Sequence, residues 1–262
     1  MTGGVAGVPT VAVVTGANRG IGRAIAVALA ADGFAIAATA RDPATLTDTV
    51  EEVEKAGATA IALACDVRDE QSVAAMAAAA AALGPVHTVV ANAGIAGPTA
   101  PLHEMSLEQW RDTLAVDLDG VFLTFRAFVP ELIAQGGGSL IAISSMTGKR
   151  PLHGRTPYAA AKMGVIGLVR SLAVELGPHG VRVNAICPGA VAGPRIDDVI
   201  RAQAAALGVT EDEARAAFTR SSPLGRLVEA DEVARTCAFL ASDAADAITG
   251  EDLNVTAGVV MY

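Results

Sequence analysis

The stretch VAVVTGANRGIG (Val11–Gly22) joins an apolar, β-branched run to a turn that contains three glycines. The run Val11–Gly16 predicts a buried strand, and the alanine-rich residues after the turn predict a helix. Gly16, Gly20 and Gly22 permit a tight turn and a close approach of the backbone to a ligand. A helix N-terminus behind such a turn offers free N–H groups and a positive dipole to a diphosphate. The alternative is that the glycines serve only the packing of the helix on the strand.

The alternation of apolar runs and helical stretches continues to the C-terminus. Further strands are predicted at FAIAATA (34–40), TAIALACDV (59–67), HTVVANAG (87–94), GSLIAISS (138–145), VRVNAICPG (181–189) and DLNVT (252–256). Strands that alternate with helices form βαβ units, which assemble a parallel sheet covered on both faces. The sequence therefore predicts an α/β fold: a single doubly wound (Rossmann-like) domain with a mainly parallel sheet of about seven strands flanked by helices. Ligands bind such a domain beyond the carboxyl ends of its strands.

The helices and the domain limits are predicted from the same patterns. Ser106 and Gln109 suit a capping box that begins a helix running to about residue 135. Other helices are predicted over 156–176, over the polar segment 197–220 and over about 230–240. Residues 1–9 are predicted to be a flexible N-terminal tail, and residues 10–262 a single domain for dinucleotide binding and catalysis.

Composition excludes several classes of function. The 262 residues are 52% hydrophobic, with a net charge of −9 and a pI near 4.9. This acidity disfavours a nucleic-acid-binding protein, and no run suits a membrane span or a signal peptide. Cys65, Cys187 and Cys237 are scattered, which fits a reducing cytoplasm and gives no zinc-site spacing. The four histidines also lack metal-ligand spacing, so no metal site is predicted.

Four motifs, in order, resemble those of the short-chain dehydrogenase/reductase family. They are TGANRGIG (15–22), NAG (92–94), YAAAK (158–162) and the pair Pro188-Gly189. The resemblance extends from about Val11 to Met261. It implies the doubly wound fold, a nicotinamide cofactor, hydride transfer on a small carbonyl or alcohol substrate, and a homotetramer or homodimer formed through the helices at 106–135 and 156–176.

The expected cofactor is NADP(H) rather than NAD(H). An NAD site usually has Asp or Glu at the end of the second strand. Ala40 stands there, Arg41 follows, and Arg19 lies in the glycine turn, so a 2′-phosphate is favoured. The alternative is that Arg41 faces solvent or pairs with Asp42. The predicted cofactor contacts are Gly16, Asn18, Arg19, Gly20, Ile21, Gly22, Arg41, Asp66, Val67, Asn92, Ala93, Gly94, Tyr158, Lys162, Pro188, Gly189 and Val191.

The motif YAAAK places Tyr158 and Lys162 one turn apart on one face of a predicted helix. A free phenol has a pKa of ~10, and a nearby ammonium favours the phenolate. The resemblance implies that Tyr158 is the proton donor or acceptor and that Lys162 binds the nicotinamide ribose. It selects Ser145 to orient the reacting oxygen, with Ser144 as the alternative. Taken alone, the YxxxK pattern is usually a pair on a helix surface.

The sequence departs from the family pattern at two places. Asp117, in VDLDGVF, stands where an asparagine completes the family's catalytic set, and its acidity weakens the expected proton relay. Asp119 is interpreted as a solvated helix residue. TAG (256–258) replaces the usual DGG, which is expected to alter the packing of the C-terminus.

Residues 190–222 are predicted to cover the substrate. Arg195, Asp197, Asp198 and Arg201 near its start either meet a polar substrate or form a solvated helix face, and the solvated face is favoured. His153, in the loop before the tyrosine, is a further candidate to face substrate.

The sequence predicts an NADP(H)-dependent oxidoreductase that interconverts a ketone and a secondary alcohol. The alternatives are an NAD-dependent polyol or hydroxyketone dehydrogenase and a non-catalytic protein of the same fold that senses the cofactor.

Overall fold

The computed structural model describes residues 9–262, so the predicted N-terminal tail lies, except for Pro9, outside the described residues. Within this range seven strands form one sheet: β1 (Val11–Thr15), β2 (Ala35–Ala40), β3 (Ala60–Ala64), β4 (Val86–Ala91), β5 (Gly138–Ile143), β6 (Val181–Pro188) and β7 (Asp252–Val255). Their order is β3-β2-β1-β4-β5-β6-β7, and every neighbouring pair is parallel. The predicted single doubly wound domain is confirmed.

The helices that cover the sheet follow the strands in alternation. They are α1 (Gly20–Ala31), α2 (Thr47–Lys55), α3 (Glu70–Ala81), α4 (Leu107–Leu114), α5 (Gly120–Gln135), α6 (Met146–Lys149), α7 (Thr156–Leu176), α8 (Pro194–Leu207), α9 (Glu211–Arg220) and α10 (Ala230–Ala241). No helix within residues 9–262 is long and apolar enough to cross a membrane.

The central strands are buried on both faces, which explains why they are apolar, whereas β3 and β7 at the edges of the sheet are partly exposed. Successive side chains of a strand point to opposite faces. In β1, Val11 and Val13 pack into the core beneath α3, α5 and α7. Ala12 and Val14 pack into the second core, beneath α1 and α10. Cys65, Cys187 and Cys237 are buried free thiols.

Two helices predicted as continuous are interrupted. The helix that starts at the confirmed capping box of Ser106 and Gln109 changes to a π-helical turn at Ala115–Asp119 before α5 begins. The wider turn places Asp117 inside the protein, where it is fully buried. The polar segment 197–220 is divided between α8 and α9, because Gly208 ends α8 in the left-handed conformation (φ 67°).

Ala257 has a φ of 51°, in the left-handed region that disfavours residues with a Cβ. It lies in the TAG sequence that replaces DGG, so the altered C-terminal packing includes local strain. We expect Ala257→Gly to raise the free energy of unfolding by about 0.5–1 kcal/mol, because the strain relieved exceeds the entropy that glycine adds to the unfolded chain. Urea unfolding measures the change.

The matched control is Ala75→Gly, on the exposed side of α3. There the same replacement should lower the free energy of unfolding by about 1 kcal/mol, since the alanine has ordinary helical geometry. Equal losses in both variants would contradict the assignment of strain to Ala257.

Candidate active site

A cavity of about 560 Å³ opens at the carboxyl ends of the strands. It lies where the strand order reverses, between β1 and β4, as expected for a doubly wound sheet. All the predicted cofactor contacts line it, and so do Ser144 and Ser145. Asp117 does not line it. The structure therefore brings the separate sequence motifs to one place.

Hydrogen bonds to the NAG motif help to hold the glycine turn in place. The side-chain amide nitrogen (Nδ2) of Asn92 donates hydrogen bonds to the backbone carbonyl oxygens of Thr15 (2.8 Å) and Gly16 (3.0 Å). The Thr15 hydroxyl accepts hydrogen bonds from the N–H groups of Asn92 and Ala93, each at 3.0 Å. Asn92 lines the cavity as predicted, but its side chain is used to fix the shape of the turn.

The turn has the shape of a cradle for a dinucleotide. Gly20 has a φ of 55°, and a Cβ added there would meet no atom within 4 Å, so its backbone faces open space. At Gly22 an added Cβ would lie 2.2 Å from the carbonyl oxygen of Gly16. The turn leads directly into the N-terminus of α1, which supplies N–H groups and the positive helix dipole. These residues fit a bound diphosphate.

Arginines surround the end of the cavity at β2. Arg41 lines it with an exposed side chain and has no ion-pair partner among residues 9–262. The Asp42 carboxylate instead accepts the N–H of Ala44 (3.0 Å), which leaves the alternative pairing with Arg41 unsupported.

Arg68 also lines the cavity near β2, although it is not among the cofactor contacts predicted from the sequence. Its hydrogen bonds to Asp66 lower the pKa of that carboxyl, and it also reaches Asp112 (3.2 Å). A signal was available, since Arg68 lies only two residues beyond Asp66.

The catalytic candidates meet at the end of β5. Ser145 begins α6, where its hydroxyl accepts the N–H of Thr147 (3.1 Å). Lys162 is buried in α7, and its Nζ donates to the Ile143 carbonyl (2.9 Å) and lies 5.7 Å from the centroid of the Tyr158 ring. Ser144 donates to the carbonyl oxygen of Lys162 (2.7 Å), so it is satisfied by backbone, as expected for the alternative serine.

Asp117 contacts the loop that follows β4. Its Oδ1 accepts the N–H of Ile95 (2.8 Å), while its buried Oδ2 has no hydrogen-bond partner among the described residues. Burial raises the pKa of Asp117, and the charge of Lys162 opposes that rise. The lysine donates to a carbonyl oxygen rather than to Asp117. Asp119 is exposed, as interpreted from the sequence.

Arg155 is the main residue of the site that the sequence analysis missed. It precedes α7, is only 3% exposed, and places its guanidinium carbon 4.9 Å from the centroid of the Tyr158 ring. His153, a further candidate in the same loop, has an exposed side chain that does not line the cavity. Its place three residues before Tyr158 in the sequence could have indicated that Arg155 lies in the site.

Among the charges that begin α8, Arg195 is exposed, as the favoured interpretation expects, but it also borders the cavity. Arg195 lines the cavity and donates to the carbonyl oxygens of Gly94 (3.3 Å) and Ile95 (2.9 Å). The other three form surface ion pairs: Asp197 with Arg215, and Asp198 with Arg201. Arg195 differs from these three residues because it stands at the start of α8, where its side chain reaches the loop after β4.

Comparison with known proteins gives consistent matches over nearly the whole chain. The family model described as enoyl-(acyl carrier protein) reductase matches residues 16–260. The cis-4-hydroxycyclohexanecarboxylate dehydrogenase of Sinomonas cyclohexanicum is 42% identical over 250 residues, which cover 95% of each chain.

Two solved structures share the fold closely. A variant of actinorhodin polyketide ketoreductase with NADPH has a TM-score of 0.92 and 36% identity, over 97% of this chain and 98% of that one. NAD⁺-bound xylitol dehydrogenase also has a TM-score of 0.92, with 27% identity over 95% and 98% of the two chains. The chain is a member of the short-chain dehydrogenase/reductase family, an NAD(P)-binding oxidoreductase that acts on an alcohol or ketone.

Proposed function

We propose that the protein is an NADP(H)-dependent oxidoreductase that interconverts a ketone and a secondary alcohol, with Tyr158 as proton donor or acceptor. One observation carries the proposal: Ser145, Tyr158 and Lys162 line the same cavity as the glycine turn and Arg41. The nicotinamide, when bound, supplies or accepts the hydride. Relatives named for a hydroxy-acid dehydrogenase and a polyketide ketoreductase support the alcohol–ketone reaction.

Tyr158 moves the proton in this mechanism. Its phenol donates a proton to the carbonyl oxygen during reduction and takes one from the hydroxyl during oxidation. The ammonium of Lys162, 5.7 Å from the centroid of the Tyr158 ring, stabilises the phenolate that forms. The Ser145 hydroxyl orients the reacting oxygen beside the tyrosine.

Asp117 is proposed to act through its neighbours rather than on substrate. By accepting the Ile95 N–H it positions the loop after β4, and its charge acts on Lys162 from a buried position. It is therefore a positioning residue. The carboxylate replaces the amide of the family's asparagine as an acceptor but cannot donate while ionised.

Residues 190–222 are proposed to cover the substrate. Val199 and Phe218, from α8 and α9, line the cavity together with Leu152. These apolar side chains exclude water from the reacting carbon.

Exposed apolar side chains on α4, α5 and α7, such as Leu107, Phe122 and Met163, support a homodimer or homotetramer.

The first experiment is a turnover assay with NADPH and NADH against a panel of ketones. The panel includes sugars, ketoacyl thioesters, cyclic diketones, and 4-oxocyclohexanecarboxylate with its methyl ester. NADPH-dependent turnover of one class supports the proposal. Turnover with NADH alone favours the alternative dehydrogenase, and tight NADPH binding without any turnover favours the sensor.

The cofactor preference is expected to depend on Arg41. Arg41→Asp should lower kcat/KM for NADPH at least about tenfold and leave that for NADH nearly unchanged, since a carboxylate repels the 2′-phosphate. Lys55→Ala, an exposed cation of α2 away from the cavity, is the control and should keep the preference. An unchanged NADPH/NADH ratio in Arg41→Asp would remove Arg41 from the phosphate site.

The proton transfer is expected to depend on Tyr158. Tyr158→Phe should lower kcat by about 10²–10⁴-fold, because no other phenol reaches the cavity within residues 9–262, while NADPH binding followed by fluorescence stays intact. Tyr262→Phe, which alters an exposed tyrosine, should keep full activity. Full kcat in Tyr158→Phe would show that the enzyme uses another acid.

The raised pKa of Asp117 predicts a pH-dependent cost to folding. The folded protein holds this proton more tightly than the unfolded chain, so stability is lost as pH rises from 3.8 through the folded pKa. The cost is largest at alkaline pH, so the comparison is made at pH 8. Asp117→Asn should there be more stable than the parent by about 1–3 kcal/mol, because the neutral amide removes the cost of holding a buried charge.

This gain should shrink toward pH 4, as followed by urea unfolding across the pH range. Asp119→Asn, the exposed neighbour, should change stability little at any pH. A loss of stability in Asp117→Asn at pH 8 would mean that the charge is compensated in the folded protein.

A further inference from the structure

Arg155 and Arg195 form a cation pair at the substrate end of the cavity. Both line the cavity, Arg155 buried against the Tyr158 ring and Arg195 exposed at the start of α8. Neither forms an ion pair with a carboxylate among residues 9–262. Burial, together with the charge of Arg195, lowers the pKa of Arg155, while Tyr158 and Asp117 oppose that change. The two guanidinium groups therefore repel each other, and no carboxylate of the described residues pairs with either of them directly.

The burial of Arg155 makes this arrangement costly. Its Nη2 donates to the carbonyl oxygen of Ala96, while its buried Nε has no partner among the described residues. A buried cation that is neither paired nor fully hydrogen-bonded is strongly unfavourable. Because Arg155 lines a cavity, an anionic group of a bound ligand would supply the missing counter-ion.

Neither the protein nor the cofactor provides that anion in the arrangement proposed above. Asp117 is the acid whose field reaches both arginines, but it lies outside the cavity lining and accepts the Ile95 N–H. The cofactor's diphosphate is assigned to the glycine turn, and its 2′-phosphate to Arg41. The remaining ligand that reaches the cation pair is the substrate.

We propose that the substrate carries a carboxylate, and that Arg155, assisted by Arg195, binds it a short distance from the reacting carbon. The inference rests on the proposed alcohol–ketone reaction and adds the class of substrate: a hydroxy acid or oxo acid. An arginine fork matches a carboxylate in shape and charge. The guanidinium of Arg155 lies against the Tyr158 ring, so only a short, compact skeleton separates the carboxylate from the carbonyl.

The walls of this end suit the rest of such a molecule. Leu152, Val199 and Phe218 line the cavity and offer apolar contacts to a hydrocarbon ring or short chain. Polar selection then falls to the cation pair at one point and to Ser145 and Tyr158 at the other. Two polar contacts across an apolar wall fix the orientation of a small substrate.

The test compares substrates that differ only in charge. In the parent enzyme, kcat/KM for 4-oxocyclohexanecarboxylate should exceed that for its methyl ester at least about tenfold. Arg155→Met should remove most of that preference, chiefly by raising KM for the acid. Arg155→Lys, which keeps the charge but loses the fork, should retain an intermediate preference. Arg150→Met, an exposed arginine outside the cavity lining, is the matched control and should retain the full preference.

A parent enzyme that turns over acid and ester equally well would overturn the inference. It would also be overturned if Arg155→Met lowered kcat equally for both substrates at an unchanged preference, because Arg155 would then serve only to position Tyr158. The parent's own preference and the Arg155→Lys variant decide the matter even if Arg155→Met does not fold.

A binding measurement separates this inference from the proposed reaction. Calorimetry with the NADPH-saturated protein uses cyclohexanecarboxylate and cyclohexanecarboxamide, which cannot react. We expect the acid to bind at least about tenfold more tightly, and Arg155→Met to abolish the difference. Binding of the acid without turnover of any ketone would refute the reaction and support the carboxylate site. Equal binding of the two probes, with turnover of the ester, would refute the carboxylate site alone.

Discussion

The hydrogen bonds between Thr15 and Asn92 hold together the two strands at which the sheet order reverses. The chain moves from β1 outward to β3, then returns to place β4 on the other side of β1. The loops after β1 and β4 must therefore diverge, and this divergence opens the crevice. The Thr15 hydroxyl and the Asn92 amide bridge that divergence, satisfying backbone groups of the glycine turn and of the NAG motif that strand pairing leaves free. Together with the bonds that Thr39 and Thr49 make to Ala17, they fix the shape that the turn offers to a diphosphate.

A second set of hydrogen bonds fixes the catalytic candidates at the end of β5. Lys162 is held to the end of β5 from both sides: its Nζ donates to Ile143, and its carbonyl oxygen accepts from Ser144. A Cβ at Gly148 would lie 2.9 Å from the backbone of Lys162, so α6 packs closely on α7. The tyrosine one turn earlier is thus fixed relative to the sheet.

The sequence was sufficient for the features that depend on neighbours along the chain. The glycine turn, the order of strands and helices, the capping box at Ser106 and the YAAAK helix are all encoded within a few residues. The features that sequence reasoning missed depend on contacts between distant segments. Arg195 donates to carbonyl groups about a hundred positions earlier, and nothing around it in the sequence marks it as different from Arg201. The π-helical turn at Ala115–Asp119 likewise depends on a contact between Asp117 and Ile95 that helical propensity does not contain.

Charge shows why a whole-chain property is a poor guide to this site. The chain has a net charge of −9, yet both ends of the cavity carry arginines, with Arg19 and Arg41 near the glycine turn and Arg155 and Arg195 near Tyr158. Acidic side chains are abundant on the surface, where water screens them, whereas the cavity walls screen much less. The cavity lining therefore carries an excess of positive charge, although the chain as a whole is acidic. Selection among ligands then rests on contact with the arginines rather than on steering from solution, because a Debye length of about 8 Å at physiological salt confines the surface charge to its own neighbourhood.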